Sequence, residues 1–193
     1  MEGDRMRRVV LYQLLSLDGV AEEPSDWVFD VDEAFVDNLR RVIQKQDAVL
    51  LGRKTYDYWA GHWPTSANEP FASFINATAK HVFTSSTPSR EWANSTFVST
   101  PAVEYVADLT QQTGADIGIH GSIALAQSLL SAQLVDELRL VVPPTVAGRG
   151  RRLFEGDDRL RKLELLDVDR TPTGTLLLAY RTLRRPTGPV QRA

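Results

Sequence analysis

The sequence of 193 residues contains no cysteine. This absence excludes a disulfide framework, a thiolate metal site and a cysteine nucleophile, and it suits a protein of the reducing cytoplasm. Any redox chemistry must therefore come from a bound cofactor.

A strong excess of one charge and a long hydrophobic run are also missing. With 22 basic and 25 acidic residues, the formal net charge is -3, and no block of one sign would follow a nucleic acid or an anionic membrane. The charged N-terminus precedes only a short apolar stretch, so we expect neither a signal peptide nor a span of ~20 apolar residues. We therefore predict a cytoplasmic protein without nucleic-acid or membrane partners.

Two further kinds of site find no support in the sequence. The three histidines, His62, His81 and His120, do not have the spacing of metal ligands, so we expect no metal. No Gly-x-Ser-x-Gly motif occurs, which disfavours a serine hydrolase.

The apolar pattern predicts one domain in which strands and helices alternate. Its 42% hydrophobic content is enough for one core. Short apolar runs near Val9, Ala48, His81 and Asp116 predict strands, and this alternation predicts a mainly parallel sheet. We assign residues 1–7 to an N-terminal extension, residues 8–183 to the domain and residues 184–193 to a flexible tail.

Several boundaries are marked by capping and turn residues. Asp30 and Asp32 precede a helical apolar pattern that ends near Ile43. Thr100 before Pro101 predicts the start of another helix, and Gly114 predicts its end. The alternating run 138–142 and the later Thr173-Gly174 turn predict an antiparallel edge.

Three predicted turns carry groups that suit a phosphorylated ligand. Ligands of open α/β sheets bind beyond the carboxyl ends of the strands, so these turns are expected to line one crevice. They are Gly52-Arg53-Lys54-Thr55, Ser85-Ser86 with Arg90, and Gly121-Ser122 at a helix start. Each could equally be an ordinary turn, but cations in two of them favour NADPH over NADH.

Five motifs occur in a characteristic order. They are Ser16-Leu17-Asp18-Gly19, Leu51-Gly52-Arg53-Lys54-Thr55-Tyr56, His120-Gly121-Ser122-Ile123-Ala124-Leu125, Leu134-Val135-Asp136-Glu137-Leu138, and Gly148-Arg149-Gly150 before Leu153-Phe154. Together they resemble the reductase domain of bacterial riboflavin-biosynthesis deaminase-reductases. The resemblance extends from about residue 8 to residue 183 and does not include the deaminase domain.

The resemblance implies a dihydrofolate-reductase-like fold, a three-layer α/β/α arrangement, and NADPH as cofactor. Residues implied at the cofactor are Val20 and Ala21 beside the nicotinamide, Gly52, Arg53, Lys54 and Thr55 at the phosphates, Ser85, Ser86 and Arg90 on the adenosine side, and Gly121, Ser122, Ile123 and Ala124 at the pyrophosphate. Asp18, Trp27, Trp59 and Trp63 are implied near the substrate.

Two departures bear on the substrate. Ser122 replaces one glycine of the usual pair, and His120 replaces an acidic residue common in the riboflavin enzymes. The position of the helical carboxylate in dihydrofolate reductases is occupied by Val36, with Asp37 next to it, which does not support a folate substrate. Asp18, Asp37 and His120 remain candidate proton donors, and each also has an ordinary structural role open to it.

Three functions are compatible with these features. The first is an NADPH-dependent reductase that transfers a hydride to a C=N or C=O group of a pterin-, pyrimidine- or flavin-like heterocycle. The second is a non-catalytic dinucleotide-binding or ligand-binding protein on the same fold. The third is a dimeric interaction protein. A homodimer is expected and is compatible with all three functions, and a dimer seam along the antiparallel edge is a hypothesis.

Overall fold

The computed structural model describes residues 7–156 and 159–183. Its strands are β1 Val9–Leu14, β2 Gln46–Gly52, β3 Ala79–Phe83, β4 Ser95–Val98, β5 Asp116–His120, β6 Glu137–Val142, β7 Leu163–Arg170 and β8 Leu176–Thr182. Its helices are α1 Glu33–Ile43, α2 Arg53–His62, α3 Phe71–Ala77, α4 Ala102–Leu109 and α5 Ile123–Ser131. The predicted tail, 184–193, lies outside the described residues.

All eight strands belong to one sheet, in the order β4-β3-β2-β5-β1-β6-β8-β7. Neighbouring strands from β4 to β6 are parallel, whereas β8 runs antiparallel to both β6 and β7. The predicted mainly parallel sheet with an antiparallel edge is confirmed.

Helices cover both faces of the sheet, which explains why the central strands are almost continuously apolar. On β1, Val9 and Leu11 face the core formed with α4 and α5, whereas Val10 and Tyr12 face α1. A second cluster on the α1 side joins β2 and β3 to α2 and α3. The layers are therefore α/β/α.

Helix α1 forms as its sequence predicts. Asp32 is its N-cap, and the carboxylate accepts a hydrogen bond of 2.9 Å from the backbone N–H of Phe35. Phe35, Val42 and Ile43 are buried against the sheet, which matches the amphipathic pattern.

Helix α4 corrects two predicted boundaries. Thr100 was expected to cap it, but Pro101 occupies the N-cap position in an extended conformation, without a side-chain capping bond. The helix ends at Leu109, well before Gly114, and a Cβ at Gly114 would meet the side chains of Arg7 and Asp47. Glycine is therefore favoured there by close packing and does not mark the end of the helix.

Arg7 belongs to the packed domain and not to a free extension. Its side chain is buried, donates to the carbonyl of Ala115 at 2.8 Å and pairs with Asp47. Among the described residues, no helix has the length and apolar character needed to cross a membrane.

Candidate active site

The turns that were expected to form one crevice follow three adjacent strands. β3, β2 and β5 lie side by side and are parallel, so Phe83, Gly52 and His120 end at the same edge of the sheet. Two of the following segments start helices, α2 and α5, whose first N–H groups face this edge without intrahelical partners. The geometry thus concentrates hydrogen-bond donors beyond the carboxyl ends of the strands.

Ser122 joins the turn before α5 to the turn before α2. Its hydroxyl accepts a hydrogen bond of 3.0 Å from the backbone N–H of Gly52 and donates one of 2.9 Å to the hydroxyl of Thr55. Ser122 is the N-cap residue of α5, yet its side chain makes no capping bond to that helix. Within the described part of the chain, the backbone N–H groups of Ala124 and Leu125 consequently have no acceptor.

Gly121 has the backbone conformation that this turn requires. Its φ is +73°, and a Cβ at this position would lie 3.4 Å from the ring of Trp59. A side chain here would be strained and would crowd the mouth of the α5 turn. The glycine therefore keeps the backbone accessible to a ligand.

Arg53 connects the start of α2 to the loop after β3. Its Nη1 atom donates to the carbonyl oxygen of Ser86 at 2.9 Å, to the Ser86 hydroxyl at 2.8 Å and to the Thr84 hydroxyl at 3.2 Å. Its Nε atom donates to Asp57 at 2.7 Å. The guanidinium is thus held in one orientation beside exposed Ser85 and Ser86.

Arg90 occupies a different place from the one expected beside these serines. Its guanidinium lies against Gly61, and its carbonyl accepts a hydrogen bond of 2.9 Å from the hydroxyl of Tyr56. Gly61 is eight residues from Arg53 on α2, about 12 Å along the helix axis. Arg53, rather than Arg90, is the cation that contacts the Ser86 loop.

Asp18 connects the loop after β1 to the segment after β6 through hydrogen bonds. Its carboxylate accepts a hydrogen bond of 2.7 Å from the Ser16 hydroxyl and bonds of 3.0 Å from the backbone N–H groups of Ala147 and Gly148. These donors, Ser16 foremost, lower the pKa of Asp18 to about 2. The ionised carboxylate of Asp18 therefore stabilises the loop. Because the same hydrogen bonds keep the proton off Asp18, they disfavour its predicted role as a proton donor.

Val20 and Ala21 follow Asp18 in the same loop. Both side chains are buried, and Val20 forms an isolated antiparallel bridge with Arg152. The backbone N–H of Ala21 donates to the carbonyl of Arg151 at 2.9 Å. The loop is therefore ordered by the segment 147–152, and contact of either residue with a nicotinamide stays a prediction.

His120 is buried and turned away from the turn that follows it. Its Nε2 atom is 2.8 Å from Oε1 of Gln46, the first residue of β2, and the two side chains meet above Gly118. Burial lowers the pKa of His120 to about 3, so the ring is neutral at neutral pH. These surroundings favour a structural role over the predicted role in proton transfer.

Asp37 and Trp27, the remaining isolated predictions, also have local partners. Asp37 forms an ion pair with Arg40 on the same helix, and both side chains are exposed. The indole N–H of Trp27 donates to the carbonyl of Glu22 at 2.9 Å. Neither contact reaches the three turns.

Trp59 and Trp63 form an aromatic cluster next to Gly121. Their ring centroids are 5.9 Å apart, and both rings pack edge-on against Phe71 at 5.5 and 4.8 Å. Phe71 in turn lies 5.3 Å from the ring of His120. The cluster provides an apolar wall beside the turn of α5, which suits a flat ring.

Comparison with known proteins gives the same assignment as the order of the motifs. The profile of the RibD C-terminal domain matches residues 7–177. The chain belongs to the RibD C-terminal domain family. It is 28% identical to the uncharacterized protein YyaP of Bacillus subtilis (strain 168) over 184 residues, which cover 91% of this chain and 95% of YyaP.

Solved structures similar to this family member confirm the predicted dihydrofolate-reductase-like fold. A putative riboflavin biosynthesis protein from Shewanella sp. PV-4 has a TM-score of 0.70 at 17% identity, covering 92% of this chain and 99% of that one. A diaminohydroxyphosphoribosylaminopyrimidine deaminase/5-amino-6-(5-phosphoribosylamino)uracil reductase from Thermotoga maritima has a TM-score of 0.68 at 18% identity. The match covers 92% of this chain and 57% of the Thermotoga protein.

Some residues of the candidate site were missed by the sequence analysis. Thr84 and Asp57 hold Arg53, and Gln46 holds His120. Asp57 lies one helical turn after Arg53 on α2, and Thr84 follows the neighbouring strand β3. Their polar character was the only signal in the sequence. In the described ranges, no group of three or more His, Asp or Glu side chains could hold a metal ion.

Proposed function

We propose that this protein is an NADPH-dependent reductase that transfers a hydride to a C=N or C=O group of a small pyrimidine-, pterin- or flavin-like heterocycle. Membership of the RibD C-terminal domain family supports a reductase. The uracil reductase activity in the name of the Thermotoga protein supports a pyrimidine-like substrate. The observation that carries the proposal is the meeting of the α2 and α5 turns through Ser122.

The first turn of α5 fits a pyrophosphate. Ala124 and Leu125 direct backbone N–H groups without acceptors among the described residues toward the turn, and the positive φ of Gly121 leaves the backbone open. The positive end of the helix dipole favours an anion at this position. Gly121 to Ala124 would hold the pyrophosphate, and Gly52, Lys54 and Thr55 would complete the site from α2.

The loop 84–86 fits the 2'-phosphate that distinguishes NADPH from NADH. Arg53 has a fixed guanidinium next to the exposed hydroxyls of Ser85 and Ser86, and guanidinium is well suited to phosphate. Arg53 can exchange its contacts with Ser86 for phosphate oxygens. We therefore propose that Arg53 takes the role that the family resemblance implies for Arg90.

When bound, the nicotinamide would supply the hydride. The chain's own contribution is to orient the substrate ring and to exclude water from it. Trp59 and Trp63 would form one side of the substrate site, and the ordered loop at Val20 and Ala21 would cover the nicotinamide. Since Asp18, Asp37 and His120 are engaged elsewhere, we do not select one of them as proton donor.

Titration of the purified protein with NADPH, and separately with NADH, tests the proposal. Trp59 lies beside Gly121, so quenching of tryptophan fluorescence should report binding. We expect saturation at a lower concentration of NADPH than of NADH. Equal affinity for both would contradict the role of Arg53. If neither cofactor binds, a reductase of this type is excluded, and a protein that binds another ligand or an interaction protein remains.

Substrate-dependent oxidation of NADPH separates a reductase from a binding protein. The probes are the uracil substrate named for the Thermotoga protein, a dihydropterin and dihydrofolate. Turnover of the uracil substrate or the dihydropterin is expected. Binding of NADPH without turnover of any probe would assign the chain to non-catalytic ligand-binding proteins.

We also propose that the protein is a cytoplasmic homodimer that pairs through β7. This strand is at the edge of the sheet and exposes Leu165 and Val168 at 53% and 55% of their surfaces, and edge strands of this kind readily pair with a second chain. Light scattering should give the mass of a dimer. Val168→Lys, which places a charge on β7, should shift the measured mass toward that of the monomer. A monomeric wild-type protein would contradict this proposal without affecting the reductase.

A further inference from the structure

The hydroxyl group of Tyr12 is buried without a hydrogen-bond partner. Tyr12 lies in the central strand β1, and only 4% of its surface is exposed. Among the described residues, none accepts from this hydroxyl or donates to it. A buried tyrosine normally pairs its hydroxyl, because an unpaired polar group in the interior costs stability.

Phenylalanine would fill the same space without this cost. The ring of Tyr12 packs in an apolar cluster with Phe35 and Val42 of α1 and with Val141 and Leu177 of the sheet. Nothing in this packing requires a hydroxyl. A buried hydroxyl that the protein itself leaves unpaired is available to bind a ligand.

Tyr12 is close to the proposed cofactor turn. Its register partner on β5 is His120, the residue before Gly121, and the two rings are 5.8 Å apart. Phe71 and Phe74 of α3 lie on the other side of His120, at 5.3 and 5.9 Å. A flat ring bound next to His120 would therefore have aromatic neighbours and the Tyr12 hydroxyl as a polar group beside it.

A second donor on the same face lacks a partner. The Oε1 atom of Gln46 is held by His120 at 2.8 Å, which leaves Nε2 buried and unpaired within the described part of the chain. Gln46 lies above Gly118, the neighbour of Val10 on β1. The two unpaired groups, from Tyr12 and Gln46, would both suit acceptor atoms of a ligand.

We propose that Tyr12 is a substrate-binding residue whose hydroxyl donates a hydrogen bond to a ring nitrogen or carbonyl oxygen of the heterocycle. This inference rests on the proposed reductase function and specifies how the substrate is recognised. Burial raises the pKa of Tyr12 above its usual range, so the hydroxyl remains a donor at neutral pH. A site built around such a bond discriminates strongly against rings that lack the acceptor.

Tyr12→Phe tests this role, and Tyr105→Phe is the matched control. The hydroxyl of Tyr105 is 2.9 Å from Nδ1 of His81, so its removal breaks an internal hydrogen bond on the face of the sheet opposite Tyr12. Tyr12→Phe should unfold at the same temperature as the wild type or at a higher one, whereas Tyr105→Phe should unfold at a lower temperature. A loss of stability in Tyr12→Phe as large as in the control would show an internal partner for the hydroxyl and overturn the proposal.

Activity gives the second comparison. With the uracil substrate or the dihydropterin, Tyr12→Phe should lower kcat/KM by roughly 10- to 100-fold, and its affinity for NADPH should equal that of the wild type. Tyr105→Phe should retain wild-type kcat/KM. An unchanged kcat/KM in Tyr12→Phe would overturn the proposal.

Failure of the reductase function is distinguishable from failure of this inference. If the wild type oxidises NADPH with none of the probes, the reductase function fails. The role of Tyr12 is then tested by equilibrium binding of the uracil substrate and the dihydropterin, measured through tryptophan fluorescence. Weaker binding by Tyr12→Phe supports its role, and equal affinity of the two proteins, including no binding by either, overturns it.

Discussion

Ser122, the residue before α5, accepts a hydrogen bond from the backbone N–H of Gly52, the residue before α2. The 3.0 Å hydrogen bond from the Gly52 N–H to the Ser122 hydroxyl joins residues that are 70 positions apart in the chain. It fixes two helix N-termini next to each other, so that their positive ends act on the same space. The geometry of the site therefore depends on the side chain of Ser122.

Ser122→Ala should weaken both the fold and cofactor binding. It leaves the Gly52 N–H and the Thr55 hydroxyl without their partner, at a cost of about 1 to 2 kcal/mol in the free energy of unfolding. NADPH affinity should fall by roughly 3- to 10-fold as the turns separate. Urea unfolding and fluorescence titration measure the two effects, and Ser128→Ala, at an exposed position of α5, is the control expected to change neither.

Arg53→Ala should reduce the preference for NADPH over NADH. Loss of a guanidinium bound to a phosphate costs about 1 to 3 kcal/mol, or roughly 10- to 100-fold in affinity. NADH affinity should change much less. Arg40→Ala, which removes an exposed arginine of α1, should bind both cofactors like the wild type. Equal losses for NADPH and NADH in Arg53→Ala would place Arg53 away from the 2'-phosphate.

Gly118→Ala should destabilise the domain. The new Cβ would overlap the Oε1 atom of Gln46 and crowd Nε2 of His120, and such overpacking costs about 1 to 3 kcal/mol. Gly61→Ala is the control, because its Cβ would meet only the flexible end of Arg90. Thermal unfolding compares them, and a melting temperature of Gly118→Ala equal to that of Gly61→Ala would show that the Gln46 and His120 side chains can move apart freely.

Asp18 should make the fold sensitive to acid. The Ser16 hydroxyl and the backbone N–H groups of Ala147 and Gly148 lower its pKa from 3.8 to about 2. Because the folded-state pKa is the lower one, the ionised carboxylate contributes stability above pH about 4, and this contribution is lost as the pH falls toward 2.

Comparison of the wild type with Asp18→Asn isolates this contribution. The difference in their free energies of unfolding should be constant from neutral pH to about pH 4 and should shrink below it. Urea unfolding at a series of pH values measures the difference. A difference that stays constant down to pH 2 would mean that the Asp18 carboxylate has no lowered pKa.

The parts of the fold that follow from local patterns were predicted correctly. Asp32 caps α1, the run at Ala48 forms β2, and Thr173-Gly174 lies between β7 and β8. By contrast, α3 and β4 were not predicted, because they are only seven and four residues long. Short elements of this kind are formed by packing against the sheet more than by their own periodicity.

The candidate site was predictable as a set of turns but not as a set of contacts. The strand ends at Gly52 and His120 were located correctly, since glycine and apolar runs mark them. That Arg53 reaches Ser86 while Arg90 lies along α2 depends on side-chain directions, which sequence spacing does not specify. The burial of His120 under α3 could not be anticipated either, because α3 itself was missed.

The central position of β1 has a consequence for biosynthesis. β1 is the first strand of the chain, yet its two neighbours, β5 and β6, begin only at Asp116 and Glu137. A nascent chain that ends before these strands cannot pair β1 on either side, so most of the domain must leave the ribosome before the sheet closes. The high sequence separation of these contacts predicts slow folding. Until β5 and β6 emerge, the apolar β1 segment is the part of the chain that a chaperone would have to protect.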